Sequence, residues 1–175
     1  MKKTLLISGA VIAGVAIIVA ALLLVPNMLN KDYLLIGDGD LYFGMSKGSL
    51  TSELGEPEET TKDVGDTLMT EYVFDQKIGD HDAKGVYLIS KSGLTQATIT
   101  VENIDYDSAV FLTKEIIDKQ KSLYSKDEGY YCTSFETNEG MSFEVSNGTN
   151  DGATGISFTY EFLGDSLTIN AVRQK

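Results

Sequence analysis

The chain opens with a long apolar segment. Residues 5–25 form a 21-residue, mostly apolar run, and no charged side chain occurs between residues 4 and 30. As a helix rising about 1.5 Å per residue, this run would be roughly 31 Å long and would match a bilayer hydrocarbon core of about 30 Å. Lys2 and Lys3 precede it, which favours a cytoplasmic N-terminus. The pattern predicts a transmembrane anchor over residues 1–30, with the lipid bilayer as partner of residues 5–25 and the remainder outside the membrane.

A cleaved signal peptide is the alternative interpretation. It would need an apolar core of about 7–15 residues followed by small residues at the cleavage site. Here the run is longer, and Pro26, Asn27, Met28 and Leu29 follow it. The sole cysteine, Cys132, lies far away, so a lipid-modified cysteine after the run is not predicted. The pattern therefore favours an uncleaved anchor.

Helix signals appear after a predicted linker over residues 31–42, in which residues 33–36 could form an edge strand. Ser46 is a suitable N-cap, and Leu50 and Leu54 lie one turn apart. Gly55 supplies a left-handed position at the C-terminal end. We predict a helix of about nine residues here, too short to be stable without packing.

Beyond residue 66 the apolar period changes to two, which is typical of strands with one buried face. A second helix is predicted from Asp105 or Asp107 to about Tyr124, because apolar residues recur at helical spacing. The predicted strands cover residues 68–74, 85–90, 96–101, 130–135, 141–145, 156–162 and 167–172.

These elements predict an α+β domain over residues 43–175. Its helices pack on one face of an antiparallel β meander, possibly as two tandem α-β-β-β halves, 43–103 and 104–175. The dipeptides Leu94-Thr95 and Leu167-Thr168 open the last strand of each half and hint at an internal duplication.

Charge and chemistry narrow the function classes. The 175 residues include 14 Lys+Arg and 26 Asp+Glu, a net charge of −12, which argues against a nucleic-acid binder. A single cysteine excludes an internal disulfide scaffold. The only histidine, His81, lies between Asp80 and Asp82 in a predicted turn, where a metal role is the alternative to simple exposure. No catalytic, cofactor-binding or metal-ligating residue is assigned, and a paired-carboxylate hydrolase is a distant possibility.

The segment Gly44-Met45-Ser46-x-x-x-Leu50-x-x-x-Leu54-Gly55-x-Pro57, followed by paired strands from Glu71, resembles the SmpA/OmlA (BamE-like) domain. It is also similar to the repeat of the β-lactamase-inhibitor-protein fold. Both families pack a helical piece on an antiparallel meander and bind other proteins. The resemblance implies a protein-binding role; the family's usual lipid-anchored cysteine is replaced here by the predicted spanning helix.

Two function classes follow. The first is a non-catalytic, membrane-anchored, extracytoplasmic protein-interaction module of a bacterial cell envelope. The second is a small-ligand or cation sensor that uses the acidic loops. For the first, we predict a partner-binding patch on the open side of the sheet, formed by Met69, Val73, Tyr87 and Ile89. The core would then take Leu68, Tyr72, Phe74, Val86 and Leu88. Coverage of the patch by residues 31–42 or by the second half is the alternative.

Overall fold

The computed structural model describes residues 32–37, 39–62, 69–124, 130–137, 140–147 and 155–174. The predicted anchor, residues 1–30, lies outside these ranges, as do Leu68 and residues 150–152. Within the described residues, neither helix combines the length and the apolar character that a membrane span requires.

Two helices and eight strands make up the described domain, which confirms the predicted α+β class. Both predicted helices are present, and six of the seven strands predicted beyond residue 66 are present with somewhat wider bounds. The strand predicted over residues 68–74 covers Thr70–Ile78, and the possible edge strand at residues 33–36 is a single bridge from Tyr33 to Tyr42. The helices are α1 (Lys47–Leu54) and α2 (Tyr106–Tyr124). The strands are β1 (Glu59–Lys62), β2 (Thr70–Ile78), β3 (His81–Ser90), β4 (Gly93–Glu102), β5 (Tyr130–Thr137), β6 (Gly140–Asn147), β7 (Gly155–Leu163) and β8 (Ser166–Gln174).

All eight strands form one antiparallel sheet in the order β1-β2-β3-β4-β8-β7-β6-β5. The two halves therefore share a sheet and meet where β4 pairs with β8, with Thr98 opposite Asn170. Each half is a helix followed by four strands; the second half was predicted with four strands and the first with three. Strand β1 was missed because its sequence, Glu-Thr-Thr-Lys, has no apolar alternation to mark it.

The entries to the two helices share one feature: a buried apolar residue precedes the residue whose side chain caps the helix. Before α1, buried Met45 precedes the N-cap Ser46, and before α2, buried Ile104 precedes the cap Asp105. Each buried residue is also tied to the last hairpin turn of its own half. The Met45 carbonyl accepts from the Leu94 amide at 2.9 Å, and the Ile104 amide donates to the Asp165 carbonyl at 2.9 Å.

One face of the sheet carries the main core. Alternate residues of the inner strands point to the same side, where the helices lie, because side chains in a strand alternate between faces. Across β4, β8, β7 and β6, the fully or nearly fully buried side chains on this face are Ala97, Ile99, Val101, Leu167, Ile169, Ala171, Ile156, Phe158, Tyr160, Met141, Phe143 and Val145.

The N-terminal strap, residues 32–37 and 39–45, is part of this core and not the linker that the sequence predicted. Asp32 is the first residue of the compact unit that contains the strap, the two helices and the sheet. The strap doubles back on itself, with Tyr33 bridged to Tyr42 and the Leu34 amide donating to the Leu41 carbonyl at 2.8 Å. Five of its apolar side chains are at most 4 % exposed: Leu34, Ile36, Leu41, Phe43 and Met45.

A buried chain of hydrogen bonds holds the strap to α2 and to the sheet. The Tyr160 hydroxyl donates to the Gln120 side-chain carbonyl at 2.8 Å, and the Gln120 amide nitrogen donates to the Leu34 carbonyl at 2.9 Å. Near the end of the helix, the Tyr124 hydroxyl donates to the Tyr33 carbonyl at 2.6 Å. Gln120 is fully buried, and these bonds satisfy its amide on both sides.

Both ends of α1 have the predicted caps. The Ser46 hydroxyl accepts from the Ser49 amide at 3.2 Å, and the Gly55 amide donates to the Thr51 carbonyl at 2.9 Å. Gly55 has φ 87° and ψ −163°. Its φ is positive as predicted, but its ψ lies outside the left-handed helical well, in a region that is essentially restricted to glycine.

We expect Gly55→Ala to destabilise the protein by about 1 kcal/mol or more, because a side chain with a Cβ is strained at this backbone conformation. No atom outside the glycine's immediate neighbours lies within 4 Å of an added Cβ, so a steric clash would not explain the loss. Gly48→Ala, inside the same helix and without a positive φ, is the matched control and should be neutral or stabilising. Equal effects of the two changes in urea denaturation would contradict this account.

Leu34→Ala tests whether the strap belongs to the core. Leu34 is fully buried, and large-to-small changes at such positions cost about 2–5 kcal/mol. Leu163→Ala is the matched control, because Leu163 is 68 % exposed and the same change should cost well under 1 kcal/mol there. The measurement is the free energy of unfolding of the full chain. A Leu34→Ala effect as small as that of the control would show that the strap does not contribute to the core.

Candidate functional site on the open face

The four residues predicted as a partner-binding patch do not share one face. The register pairs Tyr72 with Tyr87 and Thr70 with Ile89, so Tyr87 and Ile89 point toward the helices. Tyr87 is fully buried in the main core, and half-buried Ile89 packs against it. The predicted faces of β3 were therefore wrong, because residues 86–89 of this strand are apolar on both sides and give no alternation to read.

Tyr87 takes the inward position because its neighbours make room for it. Its hydroxyl donates to the Gln76 side-chain carbonyl at 2.8 Å, and its ring meets Phe74 edge-on at 5.7 Å between centroids. A Cβ on Gly85 would lie only 2.6 Å from both the Gln76 amide nitrogen and the Tyr87 ring. Glycine at position 85 is thus required for this packing, and Tyr87 has a structural role.

The apolar group that does face away from the helices consists of Val73, Val86 and Leu88, which we call the open-face patch. Val73 lies directly opposite Val86, and Leu88 is two residues further along the same face. Val86 and Leu88 are half-buried, while Val73 is buried but separate from the main core cluster. Val73 is the predicted site residue that this patch retains, and Val86 and Leu88 replace Tyr87 and Ile89.

Met69, the fourth predicted residue, lies just before β2 and is half-buried. Its sulfur is 3.7 Å from the Thr95 hydroxyl, which also donates to the Leu88 carbonyl at 3.1 Å. Thr95 sits where the β3–β4 register shifts. Met69 is therefore connected to the open-face patch through Thr95.

Short hydroxyl and amide side chains occupy the open face beside this patch. At the junction of the two halves, the Thr98 hydroxyl donates to the Asn170 side-chain oxygen at 2.9 Å. By the strand register, the same face of β4, β8, β7 and β6 carries Thr98, Thr100, Thr168, Asn170, Ser157, Thr159 and Ser142. Such groups can both donate and accept hydrogen bonds without burying a charge.

One exposed ion pair lies at the end of the β2–β3 hairpin. The Lys77 ammonium and the Asp82 carboxylate are 2.8 Å apart. Their hydrogen bond raises the pKa of Lys77 and lowers the pKa of Asp82. Both side chains are largely exposed, so the pair adds little stability. Asp82, expected near His81 as a possible metal ligand, is thus engaged by a lysine.

The structure does not bring metal-ligating groups together in the part of the chain that it describes. Within those ranges, no three His, Cys, Asp or Glu side chains could hold one metal ion. Cys132 is a half-buried residue of β5, opposite Val145, and burial raises the pKa of its thiol. This environment fits an unreactive strand residue better than an activated thiol.

Comparison of this chain with protein-family models, with curated proteins and with solved structures finds no match.

Tyr87 generates a prediction about alkaline pH. Burial raises the pKa of Tyr87 far above its usual value of about 10, so the folded state favours the neutral phenol. Its contribution to stability should be complete below pH 10 and should decline as the pH rises above that value. Tyr160 is buried in the same way and its pKa is raised for the same reason.

Tyr87→Phe should lower the free energy of unfolding at pH 8 by about 1 kcal/mol, since the bond to Gln76 is lost. Between pH 9 and pH 11 the variant should lose less stability than the original chain. It lacks the buried phenol that stays neutral in the folded state but ionises near pH 10 in the unfolded state. Tyr106→Phe, at an exposed tyrosine, is the control and should leave both quantities unchanged. Identical pH dependence in Tyr87→Phe and the original chain would refute the burial argument.

Proposed function

We propose that this protein is a non-catalytic, membrane-anchored, extracytoplasmic protein-interaction module of a bacterial cell envelope. The open face of the sheet is the proposed binding surface. The observation that carries the proposal is the one-sided cover of the sheet: the strap and both helices are on one face, and the opposite face presents the open-face patch beside rows of hydroxyls.

The size of this face suits a protein partner. Seven strands of 8–10 residues, each about 26–33 Å long, and the four-residue edge strand β1 lie about 4.8 Å apart and give an open face on the order of 900 Å². A standard protein–protein interface buries about 800 Å² on each partner. The face is broad, whereas a small-molecule pocket is usually concave and encloses most of its ligand.

The composition of the open face also suits a transient complex with a partner protein. Interfaces of this kind have an apolar centre within a polar surround. Val73, Val86 and Leu88 supply the apolar centre on the first half of the sheet, and Thr98, Asn170 and their neighbours supply polar surroundings. Short hydroxyl side chains lose little conformational entropy when they are ordered in an interface, so the entropic cost of binding a partner on this face is small.

The membrane-anchored part of the proposal rests on the sequence alone. The apolar run over residues 5–25, the preceding Lys2 and Lys3, and the acidic remainder support a single span with the domain outside. The likeness to the SmpA/OmlA and β-lactamase-inhibitor-protein families is likewise a proposal. It is supported by the capped helix α1 packed on antiparallel strands in a chain with no assigned catalytic residue.

The test is site-specific photo-crosslinking of the full chain in bacterial membranes. A photoreactive phenylalanine at Val86 should yield a discrete crosslinked protein, whereas the same residue at Lys119, exposed on α2, should not. Leu88→Asp, which places a charge within the open-face patch, should reduce crosslinking from Thr98 severalfold while the protein remains folded. Crosslinking from Lys119 but from neither Val86 nor Thr98 would place the partner on the helix side and contradict the proposal.

A further inference from the structure

The described domain begins at one end of its sheet, which we call the attachment end. Asp32 forms an ion pair with Arg173, near the end of β8, at 3.1 Å. The Asp32 carbonyl accepts from the Phe43 amide at 2.9 Å. The neighbouring Gly44 amide donates to the Leu94 carbonyl, at the start of β4, at 2.8 Å. The chain that precedes Asp32 therefore joins the domain beside the end of β8 and the β3–β4 turn.

Three exposed cationic side chains surround this point, and we call Lys47, Lys91 and Arg173 the attachment rim. Lys47 is the first residue of α1, and Lys91 lies in the β3–β4 turn. Among the described residues, the acidic side chains nearest to the rim are Asp32, which is paired with Arg173, and Glu71, near the start of β2. The rim is therefore basic in a chain whose net charge is −12.

The opposite end of the sheet is acidic. It contains the β2–β3 and β7–β8 turns, the start of α2 and the turn of the strap, where Gly37 lies beside Ile78. The exposed carboxylates at this end are Asp40, Asp80, Asp82, Glu102, Asp105, Asp107 and Asp165. Lys77 and Lys84 accompany them, and Lys77 is engaged by Asp82. These side chains carry a net charge of −5, whereas the attachment rim with its two neighbouring acids carries +1, about 30 Å away along a nine-residue strand.

Little chain separates the attachment end from the predicted anchor. Residues 26–31 lie between the apolar run and Asp32. Even at full extension these six residues reach only about 20 Å, and the headgroup layer takes up about 5–7 Å of that distance. The attachment end must therefore lie close to the lipid surface if residues 5–25 span the bilayer, as proposed above, and the present inference rests on that anchor.

Two tyrosines at the attachment end also suit a membrane–water interface. Tyr33 follows Asp32 directly, and Tyr42 is bridged to it across the strap. Their rings pack edge-on with centroids 5.9 Å apart, and both side chains are half-buried. Tyrosine is enriched at the interfacial depth of membrane proteins because its ring is apolar while its hydroxyl stays hydrated.

We propose that the attachment rim binds the anionic headgroups of the membrane in which the chain is anchored, so that the domain stands with its strands along the membrane normal. An anionic surface attracts Lys47, Lys91 and Arg173 and repels the acidic opposite end. A domain lying on its open face would instead press Asp75 and Glu161 against the same headgroups. The upright orientation leaves the open face directed sideways, where a partner protein can reach it.

Lysine acetylation of the full chain in nanodiscs tests this orientation. The nanodiscs contain phosphatidylcholine alone or with about 30 % phosphatidylglycerol, and a water-soluble acetylating ester is added briefly. Mass spectrometry then gives the acetylation rate of each lysine. We expect phosphatidylglycerol to slow the reaction of Lys47 and Lys91 about fivefold. The rates of Lys84, on the open face, and Lys114, exposed on α2, should change less than twofold. Addition of about 500 mM KCl should abolish the difference.

Charge reversal at the two ends supplies a matched control. Because the chain contains no tryptophan, Ser92→Trp adds a single fluorescent reporter beside Lys91, and lipids with a nitroxide headgroup quench it only at close range. Lys47→Glu with Lys91→Glu should reduce this quenching about fivefold in the anionic nanodiscs. Lys77→Glu with Lys84→Glu, the same change of charge at the opposite end, should alter it less than twofold. Circular dichroism checks that every variant is folded.

Each other outcome counts against the proposal. Equal slowing of Lys84 would show that the domain lies on its open face, and equal slowing of Lys114 that it lies on α2. Equal rates with and without phosphatidylglycerol would show that anionic lipid does not bind the attachment rim. Loss of the full chain from the nanodiscs would contradict the anchor and this inference together, whereas retention without an effect of the lipid contradicts this inference alone. Failure of the photo-crosslinking from Val86 would leave this result unaffected, because the open face takes no part in it.

Discussion

The structure depends on covering one apolar face of an eight-stranded sheet. In the second half, α2 has 19 residues, a length of about 28 Å, and contacts β5, β6 and β7. In the first half, α1 has only eight residues, about 12 Å, and buries a single side chain, Leu50. The strap supplies the missing cover, and Gln120 joins the two parts of the layer by bonding both to the strap backbone and to Tyr160. The buried Gln120 amide has all its hydrogen bonds only when the strap, α2 and the sheet are packed as observed. This amide therefore favours that one packing arrangement, since any other would leave buried polar groups without hydrogen-bond partners.

The parts of the fold that were predictable from sequence are the strands and helices with one face buried and the other exposed to solvent. Strand β7 alternates Ile156, Phe158 and Tyr160 with polar residues, and its inward face is as predicted. In β3 the residues at 86–89 are all apolar, so the pattern alone could not assign them to the two faces of the sheet. The signal that could have identified the inward face was Gly85, which lies on that face and makes room for the Tyr87 ring. Strand β1 is polar because it is an edge strand. The sequence predicted a linker at the strap because its apolar residues recur with neither helical nor strand spacing. Its Leu34, Ile36 and Leu41 are nevertheless buried as fully as the core residues of the sheet.

The residues of the candidate surface also divide into those that the sequence could predict and those that it could not. Val73 was recoverable from sequence because its strand alternates, whereas Val86 and Leu88 required the register of β2 against β3. The contact between the Tyr106 and Phe162 rings could not have been found by pattern, since the two residues are 56 positions apart and come together where the Ile104 amide bonds to the Asp165 carbonyl. Local sequence reports which face a residue takes. Proximity between distant residues depends on the pairing of the two halves.

The two helix entries differ in how completely they are covered. The loop before α1 bonds to the start of β4 through the Met45 carbonyl, and the loop before α2 bonds to the β7–β8 turn through the Ile104 amide. The strap ends at the first entry, where Phe43, Met45 and Leu94 are at most 4 % exposed. At the second entry Tyr106 is 54 % exposed and packs edge-on against Phe162. The strap therefore buries the entry to the short helix α1, which has too few apolar residues to cover that part of the sheet by itself.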